Sequence, residues 1–171
     1  MKINRSFSIL LGLGVLVALW VFWPADDSQT YTAVLKRLIT VDDTYAEKIQ
    51  PEKIYISRTF YDSFADIEGQ KQRKDLKIQK ELEVALSEYA RTLGANLIWI
   101  DAEDSIEYED TGAIKGGGVL VRLNKAKNYL FYTRVSGSIY IAHLAAGGAK
   151  YDFLKIFGHW KYLYKSSEWI S

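Results

Sequence analysis

Residues 119–164 read VLVRLNKAKNYLFYTRVSGSIYIAHLAAGGAKYDFLKIFGHWKYLY, and through most of this stretch apolar or aromatic side chains return at every second position. A period of two belongs to the pleated strand and not to the helix. The spacing predicts strands at 119–123, 129–135, 139–144, 151–156 and 160–164, with turns at 124–128, 136–138, 147–148 and 157–159. Connections this short join antiparallel neighbours without a crossover, so the predicted architecture is an antiparallel meander. Ile139 and Ile141 point to one side of it, and Tyr140, Ala142 and Leu144 to the other. Both faces therefore need cover, or one of them is used for recognition.

Upstream of the meander the period changes to that of a helix. Tyr31, Val34, Leu35, Leu38 and Val41 predict an amphipathic helix from Thr30 to about Tyr45, with Ser28 or Thr30 as cap. Ile54 and Ile56 alternate with Tyr55 and Ser57, which predicts a strand over 53–60. Ile78, Leu82, Ala85, Leu86, Tyr89 and Leu93 then line one face of a predicted long helix from Gln70 to Leu93, closed by Gly94. Lys71, Arg73, Lys74, Lys77 and Lys80 crowd its first half. Cations there oppose the helix macrodipole, which suggests a solvated face or contact with anionic headgroups. With Leu97–Ile100 as a further strand, the fold class is α+β: an antiparallel sheet of about five to six strands packed by one long helix.

Two tempting motifs fail on spacing. Asp101, Glu103 and Ser105 alternate as in a calcium loop, yet Ile106 stands where the turn needs Gly, and Gly112 where the bidentate Glu belongs. The acidic run Asp101–Asp110 is thus a polar turn or a charged, exposed edge, with a weak, irregular cation site or an acidic docking surface as the alternatives. Gly116, Gly117 and Gly118 are followed by an apolar strand and not by a helix with Lys and Ser or Thr, so they form a turn or bulge and no phosphate cradle.

At the other end, residues 7–23 read FSILLGLGVLVALWVFW without a charge, after Lys2 and Arg5 and before Pro24, Asp26 and Asp27. As a helix this run is roughly 26 Å long, at the short end of what spans a bilayer. It is too long for a cleaved signal core, and cleavage after Ala25 would place Trp23 at the −3 position. The division is therefore a cytoplasmic tail at 1–6, a transmembrane signal-anchor at 7–23, a tether at 24–29 and an α+β domain at 30–171. The charge asymmetry puts the N-terminus in the cytoplasm and the domain outside the inner, or cell, membrane, in the periplasm or extracellular. Trp20, Phe22 and Trp23 suit the outer aromatic belt, and Gly14 and Ala18 form a small-residue pair for helix contact.

Composition narrows function mainly by exclusion. Lys plus Arg number 22 against 21 Asp plus Glu, so a nucleic-acid partner is not indicated. The absence of cysteine removes disulfides, thiolate metal sites and a Cys nucleophile. The two histidines, His143 and His159, lack metal-ligand spacing, and no metal or cofactor is expected. Either could pair with Asp152 or an acid of 101–110 as a base, His143 being the less improbable participant in catalysis. Tyr129, Tyr132, Tyr140, Tyr162 and Tyr164 combine apolar area with a polar tip and are the candidate recognition residues. The favoured function is a non-catalytic interaction module for a protein partner, such as an immunity or inhibitor protein or an envelope accessory. The alternative is a small hydrolase or ligand-binding domain with a pocket near His143.

Gly158, Trp160 and Lys161, followed by the terminal Trp169, Ile170 and Ser171, resemble the ending of a loose group of uncharacterised bacterial exported proteins that finish with a Gly-x-Trp-Lys hairpin and Trp-Ile-Ser. The likeness extends through Gly147, Gly148 and Tyr151, about the last 50 residues. It implies only a bacterial exported α+β domain, since the group has no settled activity to carry over.

Overall fold

The computed structural model describes Gly14 and residues 26–41, 50–61, 72–142 and 145–170, without the side chains of 72–76. Apart from Gly14, the expected anchor at 7–23 lies outside the described residues, as does His143. Among the described residues no helix is long and apolar enough to cross a membrane. Helix α1 is Ser28–Lys36, continued by one π-helical turn at Arg37–Val41. Strands β1 (Lys53–Ser57), β2 (Thr59–Tyr61) and β3 (Gln72–Lys77) precede helix α2 (Lys80–Thr92). After it come β4 (Asn96–Ile100), a short 3-10 turn at Glu103–Ser105, β5 (Gly118–Leu123) and β6 (Lys127–Asn128). Three long strands close the fold: β7 (Tyr132–Ala142), β8 (Ala145–Ile156) and β9 (His159–Ile170).

The α+β class holds, with two corrections to the sheet. Its order is β4-β1-β5-β7-β8-β9, with β6 added beside β7. From β5 onward all pairs are antiparallel, but β1 runs parallel to both β4 and β5. The sheet is therefore mixed, because β1 reaches β4 through a crossover that contains α2. The second correction concerns the meander, which has fewer and longer strands than the turn signals predict. β7 passes straight through Ser136–Ser138, and β8 through Gly147–Gly148.

None of these glycines reverses the chain, and Gly137 serves close approach. A Cβ on Gly137 would stand 2.8 Å from Val34 Cγ1 and 3.1 Å from Leu38 Cδ1, so the missing side chain is the seat of α1 on the sheet. Gly147 and Gly148 pair with Ile139 and Ser138 on one side and with Ile170 and Trp169 on the other. The turn at Phe157–Gly158 is where the sequence placed it.

The predicted long helix is divided. Gln72–Lys77 forms β3, an antiparallel ribbon with β2, and the helix begins only at Lys80. The expected conflict with the macrodipole disappears, because the first turn of α2 carries Glu81 and Glu83 instead of a basic cluster. Leu82, Leu86 and Ala90 form its buried face, and Gly94 closes it at φ +73°. α1 likewise starts differently from the expectation. Its cap position is Asp27, without a side-chain cap bond, while Asp26 Oδ1 accepts the Ser28 backbone N–H at 2.8 Å.

Both helices cover one face of the sheet. Val34, Leu35 and Leu38 of the first helical segment and Leu86 of α2 meet Ile54, Ile56, Val119, Val121, Val135, Ile139, Tyr151 and Phe153. The opposite face is covered over β1, β4 and β5 by the 101–117 connection, whose Ile106 and Ile114 pack with Ile100 and Leu120. The acidic run is thus part of a cover on the sheet and not a free edge. No described helix lies on the part of that face formed by β7, β8 and β9.

Candidate functional site

Two carboxylates on the helix-free face are clamped in the same way, each by one arginine and one tyrosine. Under the 101–117 cover, Arg122 Nε and Nη2 both donate to Glu103 at 2.7 Å, and the Tyr61 hydroxyl donates to the same carboxylate. Burial tends to raise the Glu103 pKa, but the Arg122 and Tyr61 hydrogen bonds outweigh it and hold the carboxyl below its usual value. Burial, with Glu103 next to it, pushes the Tyr61 phenol well above its usual range. Arg122 also lies 5.9 Å from the centres of the Tyr61 and Tyr140 rings, and the Tyr140 hydroxyl donates to Gly112 O at 3.0 Å. This cluster pins the connection to the sheet. Glu103 is therefore a structural residue, which overturns its reading as a solvated charge.

The second clamp stands on the open part of the face. Asp152 of β8 is fully buried and lies opposite Arg134 of β7 and Tyr164 of β9. Arg134 Nε donates at 2.7 Å and Nη2 at 3.1 Å; Ser166 Oγ donates at 3.3 Å, and the Tyr132 hydroxyl completes the set. Burial again works against the charge, and the hydrogen bonds from Arg134 and Tyr132 win, so the Asp152 pKa is lowered. The Tyr132 phenol is pushed up to about 12, by burial first and then by its bond to Asp152. A carboxylate so saturated is an acceptor at neutral pH and not a proton shuttle poised near 7. Its role is to lock Arg134 and Tyr132 in place, with Tyr164 half exposed beside them.

The five tyrosines do not form one surface. Tyr132 and Tyr164 flank Asp152. Tyr140 is on the same face but packs against the 101–117 cover. Tyr162 lies on the opposite face against the core, with the Arg37 guanidinium 3.3 Å above its ring centre. Tyr129 stands at the sheet tip, 62% exposed, with its ring centre 5.6 Å from that of Tyr132. His159 is exposed, with its Nδ1 3.5 Å from Gln29 Nε2. Arg134 and Ser166 were not anticipated from sequence, and only the alternation in β7 places Arg134 on the same side as Tyr132.

A cavity of about 390 Å³ opens where α1 and α2 begin. Tyr31 and Phe60, stacked at 5.4 Å, form part of its lining with Lys77, Lys125, Asp27 and Glu81. The Tyr31 hydroxyl accepts the Ala126 N–H at 2.7 Å, and burial raises its pKa well above the usual range. Charges of both signs line this cavity, which gives it no single ligand class. Among the described residues no group of three or more acids or histidines is placed to hold a metal ion. Set beside known proteins, the chain stands by itself: no protein-family model, no curated protein and no solved structure matches it.

Proposed function

We propose that this chain is a single-span, membrane-anchored interaction module whose domain lies outside the cytoplasm and binds a protein partner through the open face of β7, β8 and β9. The observation that supports this most is the clamp around Asp152. An arginine and a tyrosine are held by hydrogen bonds to a buried carboxylate, with Tyr164 beside them, on a face that no described helix covers. Locked arginine and tyrosine side chains lose little entropy on binding and are favoured at the centres of interfaces. The apolar run at 7–23 and the charges around it support the anchoring half of the reading.

Photo-crosslinking in intact cells tests the interaction. A photoreactive phenylalanine analogue replacing Tyr164 is expected to give adducts of discrete size, and the same residue replacing exposed Val84 on α2 to give none. Arg134→Ala in the Tyr164 background is expected to abolish the adducts. No adduct at position 164, or equal adducts at 164 and 84, would overturn the proposed face. A reporter fused after Ser171 tests the orientation: activity of a cytoplasm-only reporter would reverse it.

A further inference from the structure

Among the described residues, a cluster of five exposed apolar side chains stands at one end of the sheet. Tyr129, Leu130 and Phe131, in the link between β6 and β7, are 62%, 61% and 50% exposed. Ile156, the last residue of β8, and Phe157, in the turn that follows, are 37% and 75% exposed. The two loops are joined, since Lys155 N–H donates to Phe131 O at 2.7 Å. Single exposed apolar residues need no explanation, but five on one tip do.

Phe157 adds a second anomaly. It sits at φ +48° and is followed by Gly158 at φ +76°, in a two-residue hairpin turn of the mirror-image type. That geometry favours Asn or Gly at the first position, and an aromatic residue there is strained. With the ring 75% exposed, packing within the described residues does not offset that strain, which points to a use outside the domain.

The position of the chain's N-terminal side supplies the occupant. Asp27 Oδ1 accepts from Trp160 Nε1 at 3.2 Å, and Oδ2 accepts from Asn128 Nδ2 at 2.9 Å. Both partners border the tip, one beside each loop. Only Pro24 and Ala25 separate Asp26 from Trp23, the last residue of the apolar run. Three residue steps reach at most about 11 Å. The domain therefore begins, at Asp26 and Asp27, beside the exposed apolar tip, within that reach of the end of the hydrophobic run. Lys125 and Lys127 stand in the neighbouring segment, cations of the kind that anionic lipid phosphates attract.

We infer that Tyr129, Leu130, Phe131, Ile156 and Phe157 form a membrane-interface foot, which enters the headgroup layer of the bilayer that holds residues 7–23. Aromatic and aliphatic side chains at that depth remove apolar area from water while their backbone stays within reach of polar groups. The contact sets the domain upright on the membrane, where a tether alone would leave its tilt free. This inference rests on the anchoring part of the proposed function.

Because the chain has no cysteine, one introduced Cys labels uniquely. A bimane probe on Phe157→Cys, Leu130→Cys, Arg91→Cys or Leu13→Cys reports four positions in the full chain, reconstituted in phosphatidylcholine and phosphatidylglycerol vesicles with nitroxide lipids. Arg91 is exposed near the end of α2, which leads to the opposite end of the sheet. Lipid quenching at 157 and 130 is expected to exceed that at 91 several-fold, with 13 quenched as well. Quenching at 13 alone would overturn the foot and leave the anchor standing. No quenching at any of the four would remove the anchor and the inference with it. Quenching at 157 and 130 without 13 would refute the span, and with it the inference in this form. Shielding of 157 from aqueous iodide without lipid quenching would mean that protein covers the tip, and would also overturn the inference.

Discussion

Gly137→Ala tests how α1 is seated, and α1 is the element that carries Asp26 and Asp27 to the tip. The added Cβ would lie 2.8 Å from Val34 Cγ1, 3.1 Å from Leu38 Cδ1 and 3.5 Å from Leu123 Cδ2. Optimal carbon separations are about 3.5 to 4.0 Å, so the helix has to lift by a few tenths of an ångström to nearly 1 Å. Overpacking of this kind costs about 1 to 3 kcal/mol. Gly137 does not have a positive φ, so alanine gains about 0.4 to 1 kcal/mol from the stiffer unfolded chain. The net expectation is a loss of about 1 to 2 kcal/mol, or about 2 to 8 °C in Tm for a chain of this size. Val34→Ala alone should cost about 2 to 3 kcal/mol, from two buried methyl groups and the space they leave. It also removes the atom that the new Cβ would strike. The double variant is therefore expected to be more stable than the sum of the single losses by about 1 kcal/mol or more, measured by urea denaturation with an unchanged slope. Additivity within about 0.5 kcal/mol would refute the contact, and so would a Gly137→Ala variant as stable as the parent.

Two further outcomes follow from the same structure. Phe157→Asn relieves a side chain at φ +48° and should raise Tm by about 2 to 4 °C, corresponding to about 1 kcal/mol, while lipid quenching at Leu130→Cys falls; a lower Tm would remove the argument from strain. Acid should destabilise the fold through Glu103 and Asp152, whose folded pKa values both lie below their ordinary ones. A depressed folded pKa contributes stability that is complete above the unfolded value, about 4, and is lost as pH falls through the folded value. Melts from pH 7 to pH 2 should show this loss. In Glu103→Gln with Asp152→Asn, Tm should be lower at pH 7 and less dependent on pH below 4; an unchanged pH slope would mean that neither pair is linked to folding.

The elements that the sequence made legible are local ones. The period-two run, the apolar face at Leu82 and Leu86, the closure at Gly94 and the turn at Phe157–Gly158 each depend on neighbours a few residues apart. Gly137, Gly147 and Gly148 were read as turns because glycine signals either a free φ or a missing Cβ, and only the packed partner distinguishes these. Gln72–Lys77 has no apolar alternation, so its pairing with β2 left no trace in its own residues. The parallel pairing of β1 with β4 and β5 spans a crossover, which periodicity does not encode. The two clamps were hidden for the same reason: Glu103 is 19 residues from Arg122, and Arg134 is 18 from Asp152. Tyr132 and Tyr164 were visible as candidates because tyrosine is informative by itself, whereas a charge reveals its role only with its partner.

The foot and the clamp constrain one another through strand geometry. At about 3.3 Å per residue, the twelve residues of β8 extend about 40 Å, with Ile156 at the foot. Asp152 lies four residues away, about 13 Å along the strand. Headgroup and interfacial regions add about 5 to 8 Å to each side of the hydrocarbon core. If the foot occupies that layer, Arg134, Tyr132 and Tyr164 stand just above it, facing along the membrane surface instead of away from it. A partner that reaches them has to approach within the first 10 to 15 Å of the bilayer, on the scale of that same strand spacing. This favours the membrane-proximal part of another anchored protein over a soluble one arriving from above. Shortening the tether by deletion of Ala25 should then disturb crosslinking at 164 and lipid quenching at 157 together. Loss of one with the other intact would show that the two surfaces act independently.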